Sequence, residues 1–388
     1  MIKEYILKHK DNDVLLFRMD NESHILSGIE KIINAERLPF GLLDINNIVE
    51  CSILLNKWIE ARGLPESRID KEDIKKQYNA KELKELMVKA MGLNLTDHYW
   101  LHEAGKKIKW KEVNHFENSF DKVIPSEDVY PGLRVNVGDS SPNLCVDGSI
   151  EKRWIMKNEE RYLIKGSRFK ERKQEPFNEA IASEIMDEYG IKHVRYEHKW
   201  TRKENEPYSE CLCMCDIHIE YMNIGWVFSN IEYGSRKYSD LINLCRERGI
   251  EEIKERIDEM LAIDFLLGNT DRHRGNYGIL RESDSLKWIC FAPIFDNGNS
   301  LFHDMVEEDT NNFSVDSFSK AFNDRNMSNL DLIDYPQWYN EGRSDKIVEI
   351  VNRNLRSNEK MKSKRINKII SVIKERIKIF EKIIREKR

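Results

Sequence analysis

The chain has 388 residues, 40% of them hydrophobic and 34% charged, with 63 lysines and arginines against 68 aspartates and glutamates for a net charge of −5. That length holds two or three domains with a substantial core, the balance is that of a globular protein, and the slight negative charge excludes a general pull toward nucleic acid. The opening MIKEYILKHKDND lacks the apolar core of a signal peptide and no apolar run reaches membrane-spanning length, so a cytoplasmic protein without membrane contact is expected.

Residues 1 to about 120 alternate strand and helix signals. Val14 to Met19 reads as a strand, and Ile48 to Trp58 as a helix ended by Gly63 and Pro65. Lys81 to Ala90 reads as a second amphipathic helix closed by Gly92, and Thr96 with Asp97 as the cap of a third, short helix from about His98. His98, His102 and His115 lack metal-ligand spacing and are expected to be core or solvated histidines. Phe120 to Gly138, rich in Asp, Pro, Ser and Gly, has the composition of a linker.

Beyond it, Lys152 to Met156 and Arg161 to Gly166 read as a hairpin with a polar turn at Lys157 to Glu160, which puts Lys165 on the second strand. Gln174 to Tyr189 reads as a helix with Phe177, Ile181, Ile185 and Tyr189 on one face, ended by Gly190. HVRYEHKW and SECLCMCDIHIEYM read as two strands of one sheet, with Glu220, Tyr221 and Met222 leaving it. Cys211, Cys213 and Cys215 alternate there, which places three buried thiols on one strand face; seven cysteines, an odd number, do not form a disulfide framework. Helical patterns then dominate, over Lys237 to Arg248 and Glu251 to Leu267. The last thirty residues place Ile366, Ile369, Ile370, Ile373, Ile377, Phe380, Ile383 and Ile384 on one helical face with Lys and Arg elsewhere. Most such faces pack on a core, although a basic amphipathic helix also suits a membrane, nucleic acid or a partner.

The stretch from Leu261 to Ser300 concentrates the chemistry. An apolar run stops at Gly268, and a polar loop presents Asp271, Arg272, His273 and Asn276 before strand signals at Tyr277 to Leu280 and Trp288 to Phe291, after which come Asp296, Asn297 and Gly298. A loop of these residue types is by itself most often a solvated turn. Phosphoryl transfer, however, needs an acceptor for the hydroxyl proton and hard oxygen ligands for Mg²⁺, and Asp271, Asn276 five positions later and Asp296 supply them in the order kinases use. Lys165 then stands where a strand lysine reaches nucleotide phosphates, and Glu179 where a helix glutamate pairs with it. Glu175 and Glu184 compete for that place. Glu220 and Tyr221 fall where a kinase hinge meets adenine through its backbone.

Asp271-Arg272-His273-x-x-Asn276 followed by Asp296-Asn297-Gly298 resembles the HipA-like serine/threonine kinases, and the loop is also similar to that of the phosphatidylinositol kinases. His273 follows Asp271 in reverse of ordinary protein kinases, and Asp-Asn-Gly replaces their Asp-Phe-Gly. The resemblance implies an α+β, two-lobed protein-kinase-like fold, with an α/β N-terminal extension over 1–120, a small β-rich lobe over 121–222 and a larger helical lobe over 223–388. LPFGLL, LNKWIEARGLPESRI and LNLTDHYWL look like the N-terminal part of a bacterial subset of the same group, and FSVDSFSKAF at 313–322 like its segment after the metal carboxylate. It further implies ATP and Mg²⁺ as cofactors and catalysis from Asp271 and His273. Asp147-Gly148-Ser149-Ile150-Glu151-Lys152 resembles the family's short nucleotide loop, with Lys152 on phosphate and Ser149 or Ser141 as an autophosphorylated serine. The expected reaction is transfer of the γ-phosphate to a protein serine or threonine. A lipid or small-molecule kinase is the alternative enzyme. The other alternative is the toxin or regulatory component of a pair, with a small antitoxin-like partner. No helix-turn-helix or basic groove points to direct nucleic-acid binding.

Overall fold

The computed structural model describes residues 1–42, 47–120, 141–201, 205–229 and 237–388; the expected linker, Phe120 apart, lies outside them. In chain order the elements are β1 (Ile2–His9), β2 (Asn12–Asp20), β3 (Leu26–Ile32), α1 (Ile48–Glu60), α2 (Lys71–Gln77), α3 (Leu83–Lys89), β4 (Tyr99–Glu103), α4 (Trp110–Val113), β5 (Lys152–Lys157) and β6 (Glu160–Lys165). There follow α5 (Glu175–Tyr189), β7 (Tyr196–Trp200), β8 (Pro207–Leu212), β9 (Ile219–Asn223), α6 (Ile224–Ser229), α7 (Tyr238–Glu247), α8 (Ile253–Leu267), β10 (Gly278–Glu282), β11 (Trp288–Phe291), α9 (Asn326–Leu330), α10 (Ser344–Arg356) and α11 (Ser363–Glu386). No helix among the described residues is long and apolar enough to cross a membrane.

The chain forms two compact units, the first Met1–Ile164, Cys213–Tyr233 and Arg281–Lys287, the second Lys165–Leu212, Gly234–Leu280 and Trp288–Arg388. Two of these boundaries fall inside β6 and β10, and the first unit takes back β9 and the turn after β10 from much later in the sequence.

In the first unit β3, β2, β1 and β4 form an antiparallel sheet in that order, with Tyr5 opposite Phe17 and Leu7 opposite both Leu15 and Leu101. Alternate side chains take opposite faces of a strand. Tyr5, Leu7, Phe17, Tyr99 and Leu101 accordingly join Cys51, Leu55, Trp58 and Ile59 of α1 in one core. Trp100, one residue out of step, joins Trp110, Phe116 and Trp154 in another.

β4 corrects the expected helix at His98. Asp97 does not cap a helix: its carboxylate takes Nη1 and Nη2 of Arg62 at 2.7 and 2.9 Å and accepts the Tyr99 amide at 2.9 Å. The aromatic YWLHE run then pairs with β1, a long-range partner that local pattern does not reveal. SECLCMCDIHIEYM is likewise two strands. β8 ends at Leu212, and past it the Cys213 and Cys215 thiols donate to the carbonyls of Leu95 and Thr96, so the three cysteines do not share one strand face. All seven cysteines are free.

The second unit is built around α8, which is buried on nearly every side from Ile257 to Leu267, its acids Asp258, Glu259 and Asp264 included. α5 is buried on Phe177, Ile181 and Ile185, and α11 on Ile366, Ile369, Ile373, Ile377, Phe380 and Ile384, so the apolar face of the last helix is a core face. Two arginines of α11 are also inside. Arg365 donates to the carbonyl of Met305 at 2.9 Å and to that of Phe302, and Arg376 donates to Val315 at 2.7 Å and Ser314 at 3.1 Å. Each guanidinium lies over a phenylalanine ring, Phe313 and Phe302 respectively. α8 ends at Gly268 with φ +65°, a left-handed turn that releases the chain into the polar loop.

Candidate active site

Lys165 is the last residue of β6 and is 3% exposed, so its ammonium must find anions. It finds two, Glu179 Oε1 and Asp296 Oδ1, both at 2.8 Å. Burial opposes the charge, but Asp296 and Glu179 outweigh it and hold the lysine well above its ordinary range. Burial raises the Glu179 carboxyl, while Lys165 and the Asn297 amide, 2.8 Å from Oε2, draw it back. The competitors for Glu179 are engaged elsewhere: Glu175 accepts from the Ser167 hydroxyl and the Arg168 amide, and Glu184 from Arg353 and Asn354.

One guanidinium organises the loops. Arg272, with no solvent exposure, donates Nε and Nη2 to the two oxygens of Asp264 on α8 at 2.9 and 3.0 Å. Its remaining N–H groups reach the carbonyls of Asn276, at 2.8 Å, and Phe295, and the side-chain oxygen of Asn297 at 2.6 Å. Asn276 and the residues on either side of Asp296 are therefore tied to the same group, and Asn269 adds a bond to Asp264 at 2.9 Å. Asn178 of α5 holds the turn that follows, donating to the carbonyls of Gly298 and Ser300 at 2.8 Å each. Asp296 itself has φ +61°, a strained course for a residue with a side chain and one found most often where a site fixes it.

Asp271 is held at both carboxylate oxygens, by Asn299 Nδ2 at 2.7 Å and Lys320 Nζ at 2.5 Å. Asn276 Nδ2 donates to the Asp271 carbonyl at 2.9 Å. His273 turns inward on the loop, with Nδ1 accepting from the Gly275 amide at 3.0 Å. The Asp296 side chain is 28% exposed against 4% for Lys165, so the carboxylate links a buried ammonium to an open edge. Its oxygens and the Asn276 amide oxygen are hard donors, the type that Mg²⁺ takes.

Of the residues that sequence reasoning singled out, Lys165, Glu179 and Asp296 meet in one ion-paired cluster, while Asp271, His273 and Asn276 lie on the loop that Arg272 ties to the residues flanking Asp296. That reasoning missed Asp264, Asn299 and Lys320 and gave Arg272 no role. Asp264 had a signal, an acid inside the apolar run AIDFLL, which burial obliges to pair with a cation.

The other expected residues belong to the first unit. The Ser149 carbonyl accepts from Ile69 at 3.1 Å and the Lys152 carbonyl from Arg68 at 2.7 Å, while Ser141 caps a short helical turn through the Asn143 amide. The Tyr221 amide is committed to the Thr96 carbonyl at 2.7 Å and is not available to a nucleotide. The Glu220 side chain is fully buried: Oε1 takes Arg281 Nε at 2.6 Å, and Oε2 takes His9 Nε2 and His98 Nδ1 at 3.0 Å each. The ligand atoms of His9, His98 and Glu220 lie within 4.8 Å of one another, a juxtaposition that spacing alone did not disclose. Arg281 on Glu220 and Arg37 at 3.1 Å from His9 Nδ1 bring positive charge to the trio, which forms a buried hydrogen-bonded cluster.

No family model matches the chain. A 44-residue stretch is 54% identical to the serine/threonine-protein kinase CtkA of Helicobacter pylori, covering 11% of this chain and 13% of that protein's length. The crystal structure of the H. pylori proinflammatory kinase CtkA aligns over 61% of this chain and 94% of its own, at 21% identity and a TM-score of 0.46. HipA of Shewanella oneidensis, solved with HipB and operator DNA, aligns over 98% of both chains at 12% identity and a TM-score of 0.57. Over nearly its whole length, then, this chain has a fold similar to that of HipA.

Proposed function

We propose that the chain is an ATP- and Mg²⁺-dependent HipA-like kinase of the cytoplasm, two-lobed, which transfers a γ-phosphate to a serine or threonine of a protein, itself included. The observation that carries the reading is the Lys165 ammonium shared between Glu179 and Asp296 at 2.8 Å each, with the Asp271 loop laced to the same turn by Arg272. Lys165 neutralises phosphate charge, and Glu179 fixes its direction. Asp271 accepts the hydroxyl proton or orients the hydroxyl, so that its oxygen bonds phosphorus as the bond to the leaving diphosphate breaks. Asn276 and Asp296 would hold Mg²⁺, whose chemistry at such a donor set is the shielding of phosphate charge.

The likeness to a HipA solved with HipB supports a small antitoxin-like partner as a second element of the reading. The test is the protein's mass after incubation with Mg²⁺ and ATP, alone and with candidate substrates. A gain of phosphate on serine or threonine is expected, and Asp296→Ala should lower transfer by about 100- to 1,000-fold or more while the melting curve keeps its shape. Phosphate transfer undiminished in that variant overturns the site; transfer to a lipid or a sugar, with none to protein, moves the chain to the other kinase class.

A further inference from the structure

Both oxygens of Asp271 are occupied, and the two partners differ in kind. Asn299 is a neutral amide from the turn after Asp296, whereas Lys320 is an ammonium with 47% of its side chain exposed, set at 2.5 Å from a carboxylate that is 25% exposed. An ordinary exposed ion pair contributes little and has no reason to be held in place. This one is held. Asn326 Nδ2 donates to the Asn269 carbonyl at 2.7 Å and to the Ser317 hydroxyl at 2.9 Å, which couples the Lys320 segment to the Asp271 loop. The Ser319 amide donates to Asp324 at 2.8 Å, its hydroxyl accepts from Asn329 at 3.0 Å, and Arg376 holds the carbonyls of Ser314 and Val315. The segment is thus fastened on both sides of a lysine whose own side chain stays open to solvent.

A hydroxyl that hydrogen-bonds Asp271 brings the phosphorus it attacks within a few ångströms of the same carboxylate, and charge in that transition state spreads over the equatorial phosphoryl oxygens. Lys165 lies in the buried part of the site, at Asp296, and Lys320 at the open Asp271 end. Resting on the kinase reading, we propose that Lys320 is a second catalytic cation, which moves from Asp271 to an oxygen of the transferred phosphoryl group as the hydroxyl takes its place on the carboxylate. The lysine keeps its protons throughout. The hydroxyl proton goes to Asp271, the new O–P bond forms, and ADP carries away the electrons of the broken one.

The test uses the full chain and compares the wild type with Lys320→Ala and Lys320→Arg. Lys320→Ala should lower kcat by about 100-fold, the scale of one lost donor at developing charge, with KM for ATP changed less than about threefold. Lys320→Arg should recover part of the loss. In titrations with magnesium and ADP, Lys320→Ala should bind ADP as the wild type does and lose affinity only when aluminium fluoride is added as a stand-in for the phosphoryl group. A kcat within threefold of wild type, or one that rises because the lysine merely blocks Asp271, overturns the inference and leaves the kinase reading intact. An inactive wild type overturns both.

Discussion

The pair Asp264 and Arg272 offers the sharpest test of how the site is held. Asp264→Ala removes the acceptor of two guanidinium bonds and one Asn269 bond while leaving Arg272, which has no solvent exposure, with only neutral acceptors. Breaking a buried pair from one side costs about 3–5 kcal/mol, because the remaining charge is uncompensated. For a unit of roughly 200 residues each kcal/mol lowers the melting temperature by about 2–4 °C, so a fall of about 6–20 °C is expected in thermal unfolding followed by circular dichroism. The double variant Asp264→Leu with Arg272→Met replaces the pair by apolar groups of similar size and should recover most of that loss. It should not recover phosphate transfer, since the ties to Asn276, Phe295 and Asn297 vanish with the guanidinium. A melting temperature for Asp264→Ala within about 2 °C of wild type, or a double variant with full activity, would refute the argument that this pair positions the loops.

Two further outcomes follow from the same contacts. Burial holds His9 below its ordinary value of 6.5 against the pull of Glu220, so the unfolded chain binds a proton that the folded chain resists. Stability is therefore lost as pH falls through 6.5. Glu220, which burial would raise but Arg281 and His9 hold well below 4.5, adds a further loss at lower pH. Urea unfolding at pH 7.5, 6 and 5 should show a decline, shared with the likewise lowered His24, His193, His198 and His303, that His9→Gln makes shallower above pH 5; parallel declines in both proteins would contradict it. Gly268→Ala should cost roughly 1–3 kcal/mol in the same assay, because a Cβ at φ +65° would fall inside the Arg376 guanidinium, itself pushed down to about 9 by burial; a neutral substitution would show that α11 gives way easily.

What could be read in advance divides by distance along the chain. β11, α1, α5, α7, α8 and α11 were visible within a few residues because period, cap and glycine stop are local properties. Asp271, Asn276 and Asp296 could be singled out for the same reason, being compressed into one stretch. β4 was hidden because its partner, β1, lies about ninety residues upstream, and the His9, His98 and Glu220 cluster because its members span 211 positions. Lys320 was hidden by its ordinariness, for an exposed lysine 49 residues after an aspartate carries no pattern until the fold sets them side by side.

The inward arginines of α11 give the molecule an order of assembly. The stretch from Phe302 to Val315 depends for its carbonyl partners on residues about sixty positions further on. A nascent polypeptide emerging from the ribosome would own Lys165, Asp271 and Asp296 and still lack these donors, so a translation product truncated before α11 would leave the carbonyls from Phe302 to Val315 without their arginine partners.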